Sequence, residues 1–164
     1  KNITGASPIM TWSLEAQRMK KKLLLFLFGA ALAASSCAFA ENAVTVNGEI
    51  MKISVADGKN KIIYELNSSE QSKSLYSQLP LEVQIENYST NEKIFYPKEK
   101  LPLKNGVEGS GDSGTLAYFS PWGNVVLFYG KFNEYPGLFI LGKAVSGAEN
   151  IKNLSGIVNV EAEK

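Results

Sequence analysis

The stretch GTLAYFSPWGNVVLFYGKF, residues 114–132, decides the fold. Its two apolar runs, TLAYFS and NVVLFYGKF, are short and rich in aromatic and β-branched residues, and Pro121-Trp122-Gly123 separates them, so they read as two strands joined by a turn. Successive side chains on a strand point to opposite faces. Leu116, Tyr118 and Ser120 therefore share one face, and Ala117 and Phe119 the other. Val125, Leu127 and Tyr129 likewise oppose Val126 and Phe128. Half of the rings must enter a core. Those suited to a surface platform are the amphipathic ones near turns, Tyr118, Trp122, Tyr129 and Tyr135, because each has a polar handle that tolerates water. Trp122, in the turn itself, is the leading contact residue; the alternative is that it plugs the core.

The rest of the chain agrees with a β-rich fold. After the decisive stretch come a further strand, GLFILGK (137–143), a short helix in GAENIKNLSG (147–156) and a last strand, IVNVEAE (157–163). Before it, Met51, Ile53 and Val55 alternate in one run and Ile62, Tyr64 and Leu66 in the next, with Asp57-Gly58 between them, which predicts a hairpin. NSSEQSKSLYSQLP (67–80) has capping-box spacing at Ser68 and Gln71, and Leu75 and Leu79 lie one turn apart, so a short helix is expected there. LEVQIENY (81–88) alternates Leu81, Val83 and Ile85 inward, and NEKIFYP (91–97) continues the ladder. Residues 97–113, PKEKLPLKNGVEGSGDS, have no usable period and read as a loop. About seven short strands and two short helices favour a mainly β, small closed barrel with two capping helices, since closure removes exposed edges. An open sandwich is the alternative.

The amino-terminal part reads differently. MKKKLLLFLFGAALAASSCAFA (19–40) has a basic start, an apolar middle too short to span a bilayer, and small residues ending in Ala38-Phe39-Ala40, the pattern of a secretory signal cleaved after Ala40. A lipid anchor on Cys37 is the alternative, but Ala34-Ser35-Ser36 lacks the large aliphatic residue that such a site uses. Residues 1–18 read as an upstream extension outside the fold, leaving residues 41–164 as the barrel domain. The protein is thus expected to be exported, periplasmic or secreted, with membrane contact only during export.

Residues 41–164 contain no histidine, arginine or cysteine, and twelve lysines against fifteen carboxylates leave them at −3. Nucleic acid is not an expected partner, because the basic footprint that phosphate binding requires is missing. GSGDSG (109–114) matches a dinucleotide fingerprint by letter, but that motif needs a strand before it and a helix after it. Ser113, in a protease-like Gly-Asp-Ser-Gly, has no histidine anywhere in the chain to take its proton. Zinc loses its usual ligands for the same reason. Asp112 and Glu108 could offer oxygen to calcium only weakly, and Glu82 and Glu86 read as solvated carboxylates on a strand. No catalytic residue, cofactor or metal is assigned.

The order GTLAYFSPWGNVVLFYGKF followed by YPGLFILGK resembles the bacterial cyclophilin-like family, with its aromatic pair, Pro-x-Gly-Asn turn, aliphatic-aromatic strand and Leu-Gly-Lys strand. The preceding hairpin, the helix ending in Leu-Pro, the strand ending in Asn87-Tyr88 and the loop containing Leu101-Pro102-Leu103 agree in order, so the likeness spans nearly all of residues 41–164. It implies a compact barrel capped by short helices. Cyclophilins proper act on a barrier of about 18–20 kcal/mol with an arginine on the twisted amide. Residues 41–164 have no arginine, and a lysine lacks the planar fork. The expected role is accordingly a module binding a peptide or small apolar ligand. The alternatives are a prolyl-isomerase-like enzyme and an interaction module for a flavodoxin-type redox partner, since family members occur beside or fused to flavodoxin domains.

Overall fold

A computed structural model describes Thr45, Val46 and residues 49–164. The segments read as extension and signal, with Cys37, Ala38 and Ala40, lie outside the described residues.

The first described elements are a minimal pair, β1 (Thr45–Val46) and β2 (Glu49–Ile50), followed by the expected hairpin of β3 (Lys52–Ala56) and β4 (Lys61–Leu66). Gly58 takes φ +86°, the left-handed conformation that the turn requires. Beside it the Asp57 carboxylate accepts from the backbone of Lys59 and Asn60 at 3.0 and 2.8 Å. Met51, Ile53, Val55, Ile62, Tyr64 and Leu66 are all buried. The period-two pattern thus converts directly into one inward face.

Helix α1 (Glu70–Ser77) follows, but its cap is Ser69 and not Ser68. The Ser69 hydroxyl accepts from the Ser72 amide at 3.1 Å, while Asn67 Oδ1 accepts from the Ser69 amide. Gln71, expected to close a capping box, is instead buried and donates to the carbonyls of Pro102 and Lys104 at 2.8 and 3.2 Å. Its side chain fastens the helix to the 97–113 loop.

The run 81–88 is not one ladder. It breaks at Ile85 into β5 (Leu81–Gln84) and β6 (Glu86–Tyr88). Then come β7 (Glu92–Phe95), β8 (Thr115–Phe119), β9 (Asn124–Phe128), β10 (Leu138–Ser146), a 3-10 helix (Ala148–Asn153) and β11 (Ile157–Glu163). The sheet is antiparallel in the order β5-β11-β3-β4-β10-β8-β9-β7-β6. Its two ends, β5 and β6, are neighbours in sequence, with Ile85 alone between them. The chain itself therefore draws the two edges together, and the sheet curls into a nearly closed barrel. Ile85 is buried at this join, and its amide donates to the Gly156 carbonyl at 2.9 Å. Because the join splits the run, Glu82 and Glu86 lie on opposite ends of the sheet and not on one strand face.

Inside the barrel Ile53, Tyr64, Leu116, Tyr118, Val125, Leu127, Leu141 and Val160 belong to one apolar core. A second cluster, Ile94, Ala117, Val126, Phe128 and Leu138, covers the outer face of β7 to β10. Strands buried on both faces read as unbroken apolar runs, which accounts for the density of 114–132. In β10 the register shifts between Ile140 and Gly142, opposite β8. A Cβ at Gly142 would overlap the Glu65 carbonyl oxygen, so a glycine permits the close approach of β10 to β4.

Candidate functional site

The outer face of β6 to β10 is built by alternation. Opposed pairs on it are Tyr88 with Glu92, Glu92 with Phe128, Ile94 with Val126, and Asn124 and Leu138 each with Phe119. Of these, Glu92, Ile94, Asn124, Val126, Phe128 and Leu138 line the floor of a groove of about 380 Å³, and the rings of Tyr88, Phe119, Trp122, Phe132 and Tyr135 stand around it as its sides.

The connections hold those sides in place. Between β8 and β9 the Gly123 amide donates to the Phe119 carbonyl at 2.8 Å, and Gly123 takes φ +77°, so the chain reverses within four residues and delivers Trp122 over the outer face. Trp122 is 46% exposed. Its ring meets Tyr88 edge to face at 5.0 Å and 90°, and Phe119 at 5.5 Å and 74°. Tyr135, 61% exposed, meets Phe119 at 5.8 Å and 66° from the connection between β9 and β10. That connection is tied down where Glu108 accepts from the Gly137 amide at 2.7 Å and the Ser120 amide donates to the Gly137 carbonyl at 2.9 Å. At the other end Phe132 stacks on Phe128 at 3.7 Å, and paired backbone bonds with Gly111 hold Phe132 there.

Two polar side chains stand out in this apolar surround. Asn124 is 1% exposed, and its carboxamide oxygen has no hydrogen-bond partner. Glu92 is half-buried, and burial pushes its carboxyl up from the ordinary value. Among the described residues that line the groove, Glu92 alone carries a charge.

Of the four rings singled out from sequence, the structure brings Trp122 and Tyr135 together at the groove. Tyr118 is not on the surface: it is 1% exposed in the barrel core, where its hydroxyl accepts from the Leu101 amide at 3.1 Å. Its polar handle is satisfied by the protein and not by water. Tyr129 is half-buried on the same inward side, packed against the core, with its hydroxyl donating to Asn87 Oδ1 at 3.3 Å. Alternation along β8 and beyond β9 sends both rings away from the groove. Tyr88, Glu92, Phe119, Asn124 and Phe132 were missed. Phe119 was legible, since it shares a face with Ala117 opposite Tyr118; the others depend on strand pairing that sequence spacing does not supply.

The remaining loop carboxylates are engaged elsewhere. Asp112 pairs with Lys143, whose hydrogen bond and charge hold its carboxyl below the ordinary range. Glu108 is committed to Gly137. Among the described residues no three histidine, cysteine or acidic side chains gather as a metal site. After GSGDSG the chain enters β8 and not a helix, so these glycines do not open a helix as the dinucleotide fingerprint requires.

A nearly closed antiparallel barrel, capped by two short helices and carrying an aromatic groove on its outer face, defines the class. Residues 55–163 match the cyclophilin-like family, and the chain belongs to that family. No curated protein matches it. Among solved structures it is similar to the solution structure of the hypothetical protein AF2241 from Archaeoglobus fulgidus, with 18% identity and a TM-score of 0.59 over 69% of this chain and 95% of that one. At that identity the likeness concerns the fold alone.

Proposed function

We propose that this cyclophilin-like domain is an exported binding module whose outer groove takes a short peptide or a small apolar ligand, with Trp122 and Tyr135 as contacts. The observation that supports this is the groove itself. Four rings, Tyr88, Phe119, Trp122 and Tyr135, stand at steep angles around one apolar floor, and three of them remain 43–61% exposed. Concave apolar surfaces with few polar groups are where ligands bind, and large rings left half-uncovered there have contact area to offer. Export follows from the signal pattern of residues 19–40.

The test titrates the purified protein with short proline-containing peptides and with the apolar dye 8-anilinonaphthalene-1-sulfonate, following the indole N–H resonance of Trp122 by NMR. Saturable shifts of that resonance, accompanied by shifts of backbone amides along the groove that are lost in Trp122→Ala, support the reading. A Trp122 signal that none of these compounds moves overturns it, and a proline-isomerisation rate well above background makes the protein an enzyme instead.

A further inference from the structure

The groove is apolar with two exceptions, and both exceptions ask for the same kind of partner. Glu92 brings a negative charge into a surface otherwise made of rings, aliphatic side chains and carboxamides, and among the described residues it has no salt bridge. A half-buried carboxylate without a counter-charge is costly, and a cation beside it removes that cost. Asn124, nearly fully buried in the floor, has a carboxamide oxygen with no donor. An acceptor left without a partner forgoes a hydrogen bond that a ligand N–H or O–H can supply.

The rings add a third argument. Tyr88 and Trp122 are mutually perpendicular, Phe119 is steeply inclined to Trp122, and Tyr135 to Phe119. Rings set as walls, and not as a stack, can bring several π faces to one point, and those faces attract a positive head, most strongly an alkylated ammonium that gives up little hydration. The pairing of Tyr88 with Glu92 across β6 and β7 places the carboxylate beside the first of those walls.

We infer that the groove binds a small organic cation, an alkylammonium compound, with its head among Tyr88, Phe119 and Trp122 and facing Glu92, and with a donor group on the Asn124 carboxamide. This rests on the groove being the binding site proposed above and names the chemistry of its ligand. A volume of about 380 Å³ is near the small end of ligand pockets, roughly 300–1,000 Å³, which suits a free small molecule.

The experiment compares choline with 3,3-dimethylbutan-1-ol, its uncharged carbon isostere, by titrating each into the 15N-labelled protein and following the Trp122 indole and the Asn124 side-chain amide. The expected result is saturable choline binding, about tenfold or more tighter than the alcohol. In Glu92→Gln the choline affinity should fall severalfold while the alcohol is unchanged. Equal binding of the two compounds overturns the cation assignment and leaves the apolar groove standing; no shift at Trp122 with either overturns the cation assignment, and failure with the peptides and dye as well removes the groove. A trimethyllysine peptide that binds more than about tenfold tighter than choline overturns the free small molecule as occupant. Because the Glu92 carboxylate is half-buried without a counter-charge, a melting temperature of Glu92→Gln equal to or above that of the parent protein serves as the check that the variant is folded.

Discussion

The backbone amide of Leu101 donates to the Tyr118 hydroxyl at 3.1 Å, deep in the barrel, and this bond secures the irregular 97–113 loop against β8. Tyr64, equally buried, has no partner for its hydroxyl, and burial pushes its phenol far up. Two tyrosines of the same core should therefore respond oppositely to loss of the oxygen. Tyr118→Phe leaves the Leu101 amide without its acceptor and should cost about 1–3 kcal/mol, whereas Tyr64→Phe should be neutral or stabilising. Urea melts of the two variants check this; a destabilised Tyr64→Phe would mean that its hydroxyl is engaged after all.

Trp122→Ala tests the groove from the side of stability. The ring is half-exposed and makes edge contacts with Tyr88 and Phe119, so its removal should cost about 1 kcal/mol and abolish the ligand-induced shifts. A loss of about 3–5 kcal/mol is the signature of deleting a buried plug, and that result would take Trp122 out of the ligand site.

Acid stability should depend on Asp57. Partial desolvation raises its carboxyl, but the amides of Asn60, Lys59 and Ser155 and the Asn60 side chain outweigh that and bring it from 3.8 to about 2. A folded-state value below the unfolded one gives stability that is fully present above the unfolded value and disappears as pH falls through the folded one. Between about pH 4 and pH 2 the protein should weaken, and Asp57→Asn should flatten that slope. Melting temperatures measured across this range decide it; parallel curves for the two proteins would remove Asp57 as the cause.

Gly142→Ala should destabilise the barrel by about 1–3 kcal/mol, because the added methyl would overlap the Glu65 backbone, which cannot swing aside as a flexible side chain can. Gly58→Ala provides a contrast: open space surrounds that position, and its penalty comes from φ +86° alone. Thermal melts of both should show the β10 variant losing more.

Where one physical rule dominated, the sequence was readable. Alternation put Ile53 with Val55 and Ile62 with Tyr64 on single faces, which are buried, and the Asp57-Gly58 turn fixed the first hairpin; along β8 and β9 it grouped Leu116 with Tyr118 and Val125 with Tyr129 without indicating which face is inward. It did not reveal the break at Ile85, because a strand that leaves one end of a sheet and a strand that joins the other share the same alternation as one continuous strand. The helix start moved from Ser68 to Ser69: both serines precede the helix, but it is the Ser69 hydroxyl that meets the Ser72 amide, while Gln71 is engaged by Pro102 and Lys104, far away in sequence. At the groove, Trp122 was recoverable from its turn. Tyr118 and Tyr129 were misplaced because a polar handle signals a need for a partner, and a buried amide or an asparagine serves as well as water.

The position of β11 has a consequence for biosynthesis. Its seven residues, Ile157–Glu163, insert between β3 and β5, so those two strands have no hydrogen-bonded link on this side of the sheet until these residues are made. Pairing β3 with β11 joins residues about a hundred positions apart, and pairing of that span is slow, so this side of the barrel wall closes late in folding. Until β11 docks, the facing edges of β3 and β5 carry unpaired backbone groups that another strand can take up, so the interval before this last strand settles is when the chain is most open to aggregation.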